Sequence, residues 1–112
     1  MQTPLFPRPV RGVRAIYRKN IGACGPFADI TVDFEPNPDG FEFVTLVGED
    51  ELEASYAEAA REGIRQELAG RTDVRVTLTA ARVHEVDSNE IGFEQAGRLA
   101  VRQAVAALGS DG

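Results

Sequence analysis

The sequence predicts an α+β domain in two layers, with the element order βββαβα. Three observations carry this reading: period-two alternation at residues 30–35 and 74–79, apolar stripes at helical spacing over 52–68 and 93–108, and turn residues between them. A four-stranded sheet with one apolar face then has two helices to cover it, and both are most economically placed on that face.

Residues 1–9 carry Pro4, Pro7 and Pro9, each of which fixes φ and removes a backbone donor. This opening is expected as an extended N-terminal arm, followed by a single domain over 10–109 and a short tail at 110–112. Val10 to Arg18, VRGVRAIYR, is rich in β-branched and aromatic residues and reads as the first strand. In the following NIGACGPFAD, Gly22, Gly25 and Pro26 mark a loop. Ile30, Val32 and Phe34 then alternate with Thr31, Asp33 and Glu35, as in a strand with one buried and one wet face. Asn37-Pro38-Asp39-Gly40 supplies a turn, and FEFVTLV at 41–47 is expected to return beside the second strand as an antiparallel hairpin.

Asp50 and Glu53 have the spacing of a reciprocal capping box, which predicts that the first helix opens at Asp50. Leu52, Tyr56, Ala59, Ala60, Gly63, Ile64 and Leu68 form its apolar stripe, and Gly70 is its expected stop. The acidic run GEDELE at 48–53 reads as a solvated helix start that complements the helix dipole. Val74, Val76 and Leu78 alternate with Arg75, Thr77 and Thr79 as the fourth strand, which can continue to Val83. Asp87 and Glu90 repeat the capping spacing before a second helix striped by Phe93, Ala96, Gly97, Ala100, Val101, Ala104, Val105 and Leu108, with Gly109 expected to end it.

A chain of 112 residues is long enough to bury roughly 65% of the surface its unfolded form exposes, so metal and disulfides are not needed for folding. No apolar run approaches the ~20 residues of a membrane span, which excludes the membrane as a partner. A single cysteine offers no internal disulfide framework and, with no secretory signal at the start, points to the cytoplasm. Met1 and the tapering SDG end point to a complete gene product. The net charge of -6 repels nucleic acid at long range, so any RNA contact must be local.

Chemistry-bearing motifs are sparse. No phosphate-cradling lysine loop is present, and Gly22 and Gly25 are too few for a dinucleotide fingerprint, so neither a nucleotide nor another cofactor is expected. The only histidine lies in HEVDSNE at 84–90, where Asp87 and Glu90 read as a helix cap. His84 with Glu85 or Asp87 matches no dedicated metal-ligand spacing, and Cys24 is distant in sequence. A Cys24/His84 nucleophilic site requires the two loops to meet in space.

With DVRVTL before it and EQAGRLAVRQAV after it, HEVDSNE resembles domain IV of translation elongation factor G, as do FEFVTLV, ITVDFEPNPDG and the Tyr56, Ala59, Gly63, Ile64 pattern. The resemblance spans about residues 14–108. It implies a βββαβα fold with a left-handed βαβ crossover, also found in a small-subunit ribosomal protein domain, against the usual hand of such connections. It further implies a domain that enters the decoding region of the small ribosomal subunit, with tip loops touching tRNA and messenger RNA; ribosomal protection proteins carry a counterpart. The corresponding tip here comprises Gly22, Ala23, Cys24, Gly25, Pro26 and Phe27 from one loop and His84, Glu85, Val86, Asp87 and Ser88 from the other.

Two positions depart from the family pattern: Cys24 aligns where it has an arginine, and Pro26 where it has a glutamine. A cation and an amide donor, both common RNA-contacting groups, are lost. No GTPase motif accompanies the domain in this chain, so translocase activity is not expected of it. The expected function is therefore that of a noncatalytic stand-alone module binding the small ribosomal subunit or tRNA through two tip loops. The alternative is a repurposed protein–protein scaffold or self-associating dimer in a specialised biosynthetic or resistance pathway, and a weaker one is the Cys24/His84 enzyme.

Overall fold

The computed structural model describes residues 5–18, 27–83 and 90–110. Its elements are β1 (Val10–Arg18), β2 (Phe27–Pro36), β3 (Glu42–Thr45), α1 (Ala54–Leu68), β4 (Val74–Arg82) and α2 (Glu90–Ser110), the predicted βββαβα order. They build one sheet in the spatial order β1-β2-β4-β3. β2 runs antiparallel to both β1 and β4, whereas β3 lies parallel to β4.

The expected hairpin between β2 and β3 does not form. Both flanks of β2 are taken, by β1 over Val10–Arg18 and by β4 down to the pair Pro36↔Val74. Asn37 N–H donates to Asp73 C=O (3.0 Å), tying the turn to the residue before β4. Gly40, at φ 127°, completes that turn with its own N–H on Asn37 C=O (3.3 Å). The chain thus passes the end of β4 and returns on its far side, so β3, α1 and β4 form a βαβ unit. A local turn signal predicts that the chain reverses but does not say which strand it will meet.

The period-two pattern buries Ala28, Ile30, Val32 and Phe34 of β2 and Val74, Val76 and Leu78 of β4 on one face. Ala60, Ile64 and Leu68 of α1 join them, as do Phe93, Ala96, Ala100 and Ala104 of α2, in a single core cluster. A bulge at Thr79 keeps this face continuous: Val32 faces Leu78 but Thr31 faces Ala80, and Ala81 is thereby returned to the core side. The Thr79 hydroxyl donates to Thr31 C=O (3.2 Å) across the bulge. Tyr56, expected in the core, is half-buried and stacks on Phe93 at 4.9 Å. Phe6, in the proline-rich opening, is fully buried and stacks on Phe34 at 5.0 Å.

Helix α1 begins at Ala54, not Asp50, and Glu53 in the N-cap position makes no side-chain capping bond. The N–H groups of Glu51 and Leu52 both donate to Gly48 C=O (3.0 and 2.9 Å), forming a separate turn that drives Leu52 into the core. Burying Leu52 from the loop displaces the predicted capping box, because Asp50 is then part of that turn. At the other end Ala69 adopts the left-handed conformation (φ 54°) ahead of Gly70 (φ 87°), the expected stop of the helix. Asp87 lies outside the described residues, so its predicted capping role does too. Helix α2 continues through Gly109 to Ser110 instead of ending at the glycine.

Candidate functional site

β1 ends at Arg18 opposite Phe27, where β2 begins, and β4 ends at Arg82 opposite Asp29. The connections 19–26 and 83–89 therefore leave the sheet from the same end. Of the eleven predicted tip residues only Phe27 is described. Gly22, Ala23, Cys24, Gly25 and Pro26, with His84, Glu85, Val86, Asp87 and Ser88, lie outside the described residues, as does any approach of Cys24 to His84.

The sheet face opposite the helices carries the wet half of each strand's alternation. Toward the tip it presents Arg14, Ile16 and Arg18 of β1, Phe27 and Asp29 of β2 and Arg82 of β4. The Arg18 guanidinium lies over the Phe27 ring, 5.3 Å from its centroid. Asp29 is only 4% exposed. Its carboxylate is satisfied by a two-point bond from Arg14, Nε to Oδ1 at 3.1 Å and Nη2 to Oδ2 at 2.6 Å. That hydrogen bond, reinforced by the charge of Asp29, raises the Arg14 pKa still further, so the guanidinium is a permanent cation held in one orientation.

Farther from the tip the same face is neutralised. Arg11 approaches Asp33 and Glu35 (both 3.9 Å), and Arg75 pairs with Glu35 (3.4 Å) and Glu42. Among the described residues the tip end instead has three arginines, Arg14, Arg18 and Arg82, against the single carboxylate of Asp29 on that face. Ile16, 43% exposed, sits among them. A cationic patch with an aromatic ring and an exposed aliphatic group can contact phosphates and stack or pack on nucleotides. Sequence reasoning missed Arg14 and Asp29; alternating arginines on the wet side of the first strand were the available signal. Among the described residues no helix is long and apolar enough to cross a membrane, and no group of three His, Cys, Asp or Glu side chains could hold a metal ion.

Arg14→Ala is expected to lower the midpoint of urea unfolding, because it leaves the buried Asp29 carboxylate without its donor. Adding Asp29→Asn to that background should recover much of the loss. An unchanged midpoint in the single variant would contradict the pairing.

These features define a two-layer α+β domain whose mixed sheet carries two connections at one end. A crystal structure of a protein from Thermus thermophilus shares the fold, with a TM-score of 0.77 and 26% identity over 89% of this chain and 16% of that one. The family described as elongation factor G, domain IV, matches residues 5–107. Elongation factor G from three strains of Dehalococcoides mccartyi is 38% identical, with 76% of this chain and 14% of the relative covered. The chain belongs to the elongation factor G domain IV family, as the residues around HEVDSNE led one to expect. It spans about one seventh of the length of those relatives.

Proposed function

We propose that this domain is a noncatalytic RNA-binding module directed to the decoding region of the small ribosomal subunit or to tRNA, and that it works in the cytoplasm. The observation that carries this reading is the convergence of both tip connections on the end of the sheet where, among the described residues of the open face, Arg14, Arg18 and Arg82 stand against the one carboxylate of Asp29. In a chain of net charge -6, that local excess of cations gives RNA a place to approach. Membership of the family supports the same direction.

The residues divide the work by chemistry. Arg18 and Arg82 contact phosphates, and Phe27 offers an apolar ring to a base or ribose. Arg14, oriented by Asp29, adds a fixed cation beside them. These arginines compensate for the tip position where Cys24 replaces a cation. His84 makes a hydrogen bond to RNA, while Asp87 holds the loop by capping α2. Gly22, Ala23, Gly25, Pro26, Glu85, Val86 and Ser88 shape the remainder of the tip.

Co-sedimentation of the purified protein with small ribosomal subunits at low salt tests this. The wild-type chain is expected to pellet with the subunits, and His84→Ala to bind roughly tenfold more weakly, the loss of about 1.4 kcal/mol that one hydrogen bond to a charged group can supply. Failure of the wild-type chain to associate at low salt would rule the reading out.

A further inference from the structure

The opposite edge of the sheet from β1 is β3, which among the described residues has β4 on one side and no strand on the other. Leu46 N–H donates to Leu78 C=O (2.9 Å), which fixes the phase of the parallel ladder. Val44 shares that inward phase, so the N–H and C=O groups of Phe43 and Thr45 point away from β4. Helix α1 packs on α2, and of β3 Glu42 and Thr45 are exposed while Phe43 and Val44 are half-buried. Between β3 and α1 lies a cavity of about 310 Å³, bordered by Phe43, Thr45 and Val47 from the strand side and by Leu52, Ala54 and Ala57 from the helix side. Leu46, directly after β3 in the chain, is 68% exposed.

The connection from β3 to α1 carries Glu49, Asp50, Glu51 and Glu53, all exposed. None of these four forms an ion pair among the described residues. Elsewhere Asp29, Asp33, Glu35, Glu42, Glu58 and Glu62 each have an arginine partner. At the cavity itself the one cation is Arg61, already engaged by Glu58 (3.2 Å) and lying over the Phe41 ring (5.7 Å). The groove thus combines three unlike features: unpaired strand groups, an apolar floor, and uncompensated negative charge at its rim.

We propose that the groove between β3 and α1 captures an extended basic peptide segment of a partner protein by strand addition to β3. Main-chain bonds to Phe43 and Thr45 align the segment, and every second side chain, apolar, enters the cavity against Phe43 and Val47. Lysine or arginine side chains in the intervening or flanking positions reach Glu49, Asp50, Glu51 and Glu53. A second copy of this chain is the poorer occupant, because pairing two β3 edges brings two such acidic connections together. The inference does not depend on RNA binding at the tip.

The test is an amide-resolved NMR titration of the full chain with a capped octapeptide alternating lysine and valine. Signals of residues 42–61 are expected to shift saturably, and the glutamate–valine counterpart to leave them unmoved. Only alternate peptide N–H groups face an edge strand, so N-methylation in one alternating pattern should abolish binding and the other should preserve it. Combining Glu49→Gln, Asp50→Asn, Glu51→Gln and Glu53→Gln, all at exposed positions, is expected to weaken binding at least tenfold at low salt. Shifts confined to other regions, equal loss with both methylation patterns, undiminished binding by the neutralised variant, or self-association through β3 that excludes the peptide would each overturn the proposal.

Discussion

Gly97→Ala is expected to destabilise the domain by about 3 kcal/mol, the upper end of the usual cost of overpacking a closed interface. A Cβ on Gly97 would lie 3.2 Å from the carbonyl carbon of Ala60 and 3.1 Å from the amide nitrogen of Ile64, with the Ala60 oxygen closer still. All three are backbone atoms of α1, so no side chain can rotate away to relieve the contact. The same crossing is tight in the reverse direction, where a Cβ on Gly63 would lie 2.8 Å from the carbonyl carbon of Glu94. In an open helix, glycine to alanine would instead stabilise by about 1 kcal/mol, so the sign of the effect is diagnostic. Gly109, with open space around it, is the control and should not be destabilised by alanine. Urea unfolding of the two single variants measures the difference. A stabilised Gly97→Ala would mean that the helices do not cross here.

Phe6→Ala should cost about 3–5 kcal/mol, the range for removing a fully buried aromatic ring. Phe6 has no exposed surface and stacks on Phe34, itself fully buried in β2. Its loss removes both the buried area and the preferred offset contact between the rings. Thermal unfolding of the variant reads this directly, and Pro7→Ala, at an exposed neighbouring position, provides the comparison. A Phe6→Ala protein as stable as the parent would show that the opening stretch does not seal the sheet.

What could be read from the sequence is what local periodicity encodes. The bounds of β1, the alternation in β2 and β4, and the apolar stripes of both helices, apart from Leu52, which precedes α1, and Val105, which is exposed, follow from spacing within one element. The place of β3 does not, because it depends on β4 having already occupied the second flank of β2. Likewise the capping box at Asp50 is locally sound and loses to a tertiary demand, the burial of Leu52. Phe6 was hidden among prolines that report backbone restriction and say nothing of where a ring will dock. The Arg14–Asp29 pair spans 15 residues across two strands, and its register depends on how the intervening loop closes.

The candidate site divides in the same way. Residues of the two tip loops were picked out by resemblance to a family, since glycine, cysteine and a lone histidine have no periodicity to read. The arginines at the sheet end became visible as a patch only when β1, β2 and β4 were placed side by side. Among the described residues their excess over Asp29 at that end matters because the chain as a whole is acidic.

Chemical probing of small-subunit ribosomal RNA, with and without saturating protein, tests the central claim most directly. Protection of nucleotides in the decoding region is expected, to be lost on combining Arg18→Ala with Arg82→Ala and weakened by His84→Ala. Protection absent at low salt, or confined to other parts of the subunit and indifferent to these substitutions, would contradict it.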